Sequence, residues 1–145
     1  MPASAPIRLA TPGDVPRLIE IRAAVRENRL SDPHSIGPAD YAPFVAAGRC
    51  WVWEVRGRVE GFAALDSEAA RIWALFVAPE AEGQGGGRAL LGRLVDEARP
   101  RGLAELRLGT EPGSRAETFY RAAGWRAVGE DSRGDRLMRL RLRDG

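Results

Sequence analysis

The chain has no lysine: all of its 22 basic residues are arginine. It has one cysteine, Cys50, and one histidine, His34. Gln84 is its only glutamine and Asn28 its only asparagine. Without lysine a P-loop is excluded, because Gly-x-x-x-x-Gly-Lys-Ser/Thr needs that amine on the phosphates. One cysteine rules out an internal disulfide and suits a reducing cytoplasm. Next to Trp51 and far in sequence from His34, Cys50 reads as a small core residue, not a nucleophile. No apolar run is long enough to span a bilayer, so no membrane role is expected. The start, Met-Pro-Ala-Ser-Ala-Pro, lacks the basic-then-apolar layout of a secretion signal, and a cytoplasmic location is expected.

Charge of one sign is also missing. The 22 arginines face 20 acidic residues, a net charge of +2, and the pI near 9.3 reflects arginine's high pKa at near balance. Arg139, Arg141 and Arg143 alternate with Met138, Leu140 and Leu142, as on the solvated face of a terminal strand. No aromatic residue interleaves them, so nucleic acid is not expected as a partner. With 145 residues and 44% apolar content, the chain reads as one globular domain, 1–145, with a core from about 6 to 143.

What is present is glycine in one place. Gly83, Gly85, Gly86 and Gly87 fall within five positions, between the apolar run 71–78 and a helix-like run from Ala89. Such a cluster lets the main chain turn sharply or approach something closely. Where a turn opens a helix, unpaired N–H groups and the helix dipole together make an anion site, most often for phosphate. The dinucleotide fingerprint Gly-x-Gly-x-x-Gly fails: its third glycine falls on Arg88 or on Leu90, depending on the start. A plain flexible turn is the alternative, but so short a connection seldom needs four glycines.

The remaining pattern gives the order β-α-α-β-β-β-α-β-α-β-β, a mixed α/β domain. Strand 6–10 leads to a helix capped by Asp14, and a second helix spans Ala39 to Ala47. Strands 51–55 and 59–65 form a hairpin around residues 56–58. Strand 71–78 precedes the glycine loop, and the following helix, with Leu90, Leu91, Leu94 and Val95 on one face, closes at Pro100 and Gly102. Strand 103–108 then runs parallel to strand 71–78. Ser114 and Glu117 form a capping box for the helix 115–123, and strands 125–129 and 136–142 end the chain. Trp51 and Trp53 share one face of the sheet, as packing or as a substrate wall.

Beyond the strand that follows the glycines stands Phe119-Tyr120-Arg-Ala-Ala-Gly124-Trp125. With this second motif the chain resembles the GNAT superfamily of N-acetyltransferases, as a small, bacterial-type, single-domain member. There a strand–loop–helix carries Arg/Gln-x-x-Gly-x-Gly/Ala and a later helix carries Phe-Tyr before Gly-Phe. Gly85 and Gly87 take the first pair of positions; Phe119, Tyr120, Gly124 and Trp125 take the second. The order of elements agrees over nearly the whole chain.

The resemblance implies a central, mostly antiparallel mixed sheet flanked by helices, with splayed strands at a cofactor cleft. It implies acetyl-CoA as co-substrate, no metal, and direct acetyl transfer through a ternary complex to a primary amine of a small molecule or peptide. The amides of Gly83, Gln84, Gly85, Gly86, Gly87 and Arg88 would bind the pyrophosphate. Leu75, Phe76 and Val77 would offer main-chain groups to the pantetheine arm, and the Val77 N–H would polarise the thioester carbonyl. Tyr120 would contact the cofactor and protonate the leaving thiolate as general acid; the alternative is a core aromatic with a polar handle. A homodimer is compatible with the resemblance. A non-catalytic acyl-CoA-binding or regulatory module on the same fold is the alternative function.

Two positions depart from the family pattern. Glu82 stands where the family has Arg or Gln, so a carboxylate faces the expected phosphate unless it points away or Arg88 offsets it. A shifted register, with Gln84 in that place and Gly87 and Ala89 following, also fits. Gly113 replaces an asparagine that many relatives carry. For the base that deprotonates the amine, Glu27 and Glu111 are the candidates, with Glu54, Asp66 or ordered water as alternatives. Glu27 adjoins Asn28 in a region that borders the acceptor site in this fold; a solvated helix end is the other reading. His34, in a Pro/Ser loop, reads as a surface residue. The acceptor is set by loop 29–37, the second helix and the terminal hairpin, and the sequence does not name it.

Overall fold

A computed structural model describes residues 6–25 and 36–142. Its elements follow the expected order: β1 (Ile7–Leu9), α1 (Val15–Val25), α2 (Pro38–Ala46), β2 (Cys50–Val55), β3 (Arg58–Asp66), β4 (Arg71–Val77), α3 (Gly86–Ala98), β5 (Glu105–Thr110), α4 (Arg115–Ala122), β6 (Arg126–Glu130) and β7 (Arg136–Arg141). Among the described residues the sheet has seven strands in the order β1-β2-β3-β4-β5-β7-β6. Every pair is antiparallel except β4–β5. This is the mixed, mostly antiparallel α/β architecture expected.

Local chemistry explains most boundaries. Arg56 and Gly57 both have positive φ (53° and 80°), the two-residue turn whose twist matches the hairpin of β2 and β3. Asp14 does not cap α1. It ends a 3-10 turn, Pro12–Asp14, and its carboxylate accepts the Thr11 N–H at 2.7 Å. At α4 the Ser114 hydroxyl accepts the Glu117 N–H at 3.1 Å, but the Glu117 carboxylate reaches back to the Gly113 N–H, at 2.7 Å, and not to that of Ser114. The strand expected at 103–108 lies two residues later, because a 3-10 turn, Arg99–Arg101, and Gly102 at φ 79° lengthen the exit from α3.

The helices sandwich the sheet. Leu90 of α3 packs against Gly61 and Trp53, whereas Tyr41 of α2 packs against Phe62 and Trp73 on the opposite face. Leu90 and Leu94 are fully buried, and such side chains each contribute about 1.5–3 kcal/mol. Trp51 and Trp53 are buried in the core.

One irregularity shapes the centre of the sheet. Ala64 pairs with Ala74 but Leu65 pairs with Ile72, leaving Trp73 as an extra residue in β4. Such a bulge bends its strand and re-aims a side chain. Trp73 consequently shares the face of Phe76, and the Arg22 guanidinium of α1 lies 5.3 Å from one ring centroid and 4.8 Å from the other.

Candidate active site

Strands β4 and β5 begin side by side and separate. Their only register pair is Arg71 with Arg107, supported by the Arg107 N–H bonding to the Ala70 carbonyl at 2.9 Å. Beyond the bulge at Trp73 the strands diverge and leave a gap.

The direction of the main-chain groups along that gap follows from the pleat. The Ala78 N–H bonds to the Glu60 carbonyl at 2.7 Å, and the register is unbroken from there to Leu75. In an antiparallel ladder alternate residues face the same neighbour. Phe76 therefore turns its N–H and carbonyl to β3, while Leu75 and Val77 turn theirs into the gap. On the other wall the Leu142 N–H bonds to the Ala104 carbonyl at 2.8 Å, so Gly109 faces the gap in turn.

At the head of the gap lies the glycine loop. Gly85 is the N-cap of α3, and the first helical bond runs from the Ala89 N–H to the Gly85 carbonyl at 3.0 Å. The amides of Gly86, Gly87 and Arg88 precede it and have no helical acceptor. No acidic residue stands in the first turn of α3, so the positive end of its dipole is uncompensated there.

The four glycines separate by cause. Gly83 and Gly85 adopt φ of 83° and 87°, which L side chains disfavour. Gly86 lies against Trp53, whose ring leaves no room for a Cβ. Gly87 has neither reason. A Cβ there would sit at ordinary contact distance, 3.6 Å from the Phe119 ring and 3.7 Å from Val77 Cγ2. It is also the glycine that points to where β4, α3 and α4 converge.

Tyr120 is buried on α4, edge-on to Phe119 (5.1 Å between centroids) and to Trp125 (5.4 Å). Burial alone pushes its hydroxyl well above the usual tyrosine range, so the hydroxyl stays protonated at neutral pH. The helix is anchored by Glu117, whose carboxylate accepts from the Gly113 N–H, from Arg121 at 2.8 Å and from Arg136 of β7 at 2.9 Å. These donors, the Gly113 amide first, hold its pKa down at about 2. Gly113, with φ 77°, thus has a structural task at the N-terminus of α4.

The carboxylate candidates do not gather at one point. Glu54 binds Arg8 at 2.6 Å, on the far side of the sheet order from β5. Asp66 faces Arg71 at 3.6 Å, at the closed end of the gap. Glu111 lies exposed just beyond β5. Glu27, Asn28 and His34 lie outside the described residues. Cys50 is buried, and burial pushes its thiol up to about 12. Among the described residues no group of three or more His, Cys, Asp or Glu side chains is placed to hold a metal ion. No helix among them is long and apolar enough to cross a membrane.

Three features escaped the sequence reading. Glu82 pairs with Arg115 of α4 at 3.1 Å, and not with Arg88. Trp53 is the reason for Gly86. Arg22 Nη1 and the Tyr41 hydroxyl are both buried, and neither has a hydrogen-bond partner within 3.5 Å among the described residues. No spacing rule links residues so far apart in the chain.

Comparison with known proteins accords with this geometry. The model of the acetyltransferase (GNAT) family matches residues 18–125. The chain is 34% identical over 85 residues to the peptidyl-lysine N-acetyltransferase YiaC of Escherichia coli K12. That match takes in 59% of this chain and 55% of the other, so the chain spans little more than half the length of this relative. In fold it resembles the PaiA N-acetyltransferase of Thermoplasma acidophilum in complex with coenzyme A, with a TM-score of 0.81 at 18% identity, over 96% of this chain and 99% of that one. It also resembles YncA of Salmonella typhimurium with acetyl-CoA, with a TM-score of 0.79 at 24% identity, over 99% and 96% of the two chains. The family model takes in most of the chain, including both the glycine loop and the Tyr120 helix, and the protein belongs to the acetyltransferase (GNAT) family.

Proposed function

We propose that the protein is an acetyl-CoA-dependent N-acetyltransferase that moves the acetyl group directly to a primary amine of a small molecule or peptide. The observation that carries this is the gap itself. The inward main-chain groups of Leu75 and Val77 lead to a helix N-terminus where Gly87 lacks a side chain although neither its φ nor a clash among the described residues requires it. An extended arm with amide groups ending in phosphates fits that arrangement.

Bound acetyl-CoA supplies an activated thioester and a thiolate leaving group. The amides of the loop, from Gly83 to Arg88, hold the pyrophosphate, with those of Gly86, Gly87 and Arg88 best placed at the helix start. Leu75 extends the sheet onto the arm, and the Val77 N–H donates to the carbonyl oxygen as charge develops there. Phe76 turns its main chain to β3, and its ring lies on the sheet face against Phe62 and Arg22. Tyr120, protonated at neutral pH, gives its proton to the sulfur as the bond to carbon breaks. The incoming amine loses its proton to a base, for which Glu111 at the mouth of the gap and Glu27 are the candidates, or to water. Coupled to proton transfer in this way, acetyl transfer needs no metal.

The identity of YiaC as a peptidyl-lysine enzyme supports an amine on a peptide as one acceptor class. The test is release of free CoA thiol from acetyl-CoA across a panel of amines, including lysine peptides, with mass spectrometry of the product. Saturable CoA binding with no transfer to any amine points instead to a binding module.

A further inference from the structure

Glu82 is the residue at which the glycine loop departs from its family, and its partner is distant in sequence. Arg115 Nη2 stands 3.1 Å from Glu82 Oε1, joining the loop to the first residue of α4. A second approach between the same two elements is that of Gly87 and Phe119, where a Cβ on the glycine would lie 3.6 Å from the ring. Arg88, the other cation near the loop, lies on the opposite flank. With Gln84, Gly85, Trp53 and Val55 it lines an open depression of about 500 Å³ on the β2 side.

The pair is poised to exchange. The Arg115 side chain is 91% exposed and that of Glu82 41%. Ion pairs so open to water hold their partners weakly, so another anion can displace the carboxylate at little cost. A phosphate held by the amides of Gly86 and Gly87 would be such an anion, with more charge than a carboxylate and more acceptor oxygens for the guanidinium fork. Left unpaired, Glu82 would repel that phosphate.

We propose that Arg115 is a phosphate ligand of the cofactor, supplying from α4 the cation that position 82 lacks, and that Glu82 occupies it until a phosphate takes it over. The proposal rests on the acetyl-CoA reading above. The shared chemistry is a phosphate group of the cofactor's ADP moiety, either the pyrophosphate or the 3′-phosphate.

The experiment is isothermal titration of the full chain with CoA and with 3′-dephospho-CoA. Arg115→Gln is expected to weaken CoA binding about three- to tenfold, and Arg115→Lys, which keeps the charge but not the fork, to recover only part of the loss. Glu82→Gln is expected to bind CoA at least as tightly as the parent. A loss seen with CoA alone assigns the 3′-phosphate, and a loss with both ligands assigns the pyrophosphate. Because Arg115 is exposed, its variants should keep the parent's melting temperature, which separates lost binding from lost fold. If the parent binds CoA and Arg115→Gln binds it equally well, the proposal falls while the acetyltransferase reading stands. Weaker binding by Glu82→Gln would overturn the displacement of Glu82. If the parent binds no CoA, both readings fall.

Discussion

A Cβ placed on Gly86 would stand 2.3 Å from Cε3 of Trp53, so the ring of β2 and the first residue of α3 are in direct contact. Trp53 is itself buried in the core, so accommodating a Cβ there requires the packing around the ring to shift. The contact sets the height of α3 over the sheet, and with it the position of the amides that open toward the gap.

Two adjacent glycines should therefore respond in opposite ways to the same substitution. Gly86→Ala is expected to destabilise the protein by about 1–3 kcal/mol through overpacking. Gly87→Ala should leave stability unchanged or raise it by up to about 1 kcal/mol, since alanine favours the helix. It should nevertheless weaken CoA binding. Thermal melts with and without CoA check both halves.

Tyr120→Phe keeps the ring and its edge-on contacts with Phe119 and Trp125 but removes the hydroxyl. Turnover is expected to fall by about 10²-fold or more if that hydroxyl is the general acid. CoA affinity should change little. Unchanged turnover in a single-turnover thiol-release assay would remove the role.

Acid should loosen α4 through Glu117. Its carboxylate form is favoured in the fold by the Gly113 amide and two arginines, so its folded pKa, about 2, lies below the unfolded value near 4.5. A group depressed in this way stabilises the fold fully above the unfolded value and loses that contribution as pH falls toward 2. Asp14, lowered to about 2 chiefly by its hydrogen bonds from Arg8, acts in the same window. Stability measured by urea titration should drop between about pH 4.5 and 2. Glu117→Gln should be less stable at pH 7 and show a shallower drop over that range.

Cys50 should be inert in the native state. Buried in the core, with its thiol raised to about 12, it offers almost no thiolate at neutral pH. Labelling by iodoacetamide is expected only at the rate of unfolding, accelerating with urea. Fast labelling in buffer alone would show that β2 opens locally.

The order of elements and the family were legible in the chain because their causes are local. Apolar runs on either side of Arg56-Gly57-Arg58 mark β2 and β3, the apolar stripe of α3 has helical period, and Ser114 stands where a helix must start. The glycine cluster and the Phe119–Tyr120 motif are likewise short runs whose spacing can be read directly. Even so, the local rules misplaced Asp14 as a cap and set β5 two residues early, because 3-10 turns follow no strong sequence signal.

What only the tertiary structure decided is how distant residues meet. The gap between β4 and β5 follows from one extra residue, Trp73, whose bulge depends on the register against β3 and not on its own neighbours in sequence. Which of Leu75, Phe76 and Val77 faces the gap depends on the same register. Gly86 is required by Trp53 across the sheet, and Glu82 is answered by Arg115 from another helix. Sequence carries the propensities of single segments; contacts between segments come from packing and register, and those placed the glycine amides, the open main chain and the paired charges around one gap.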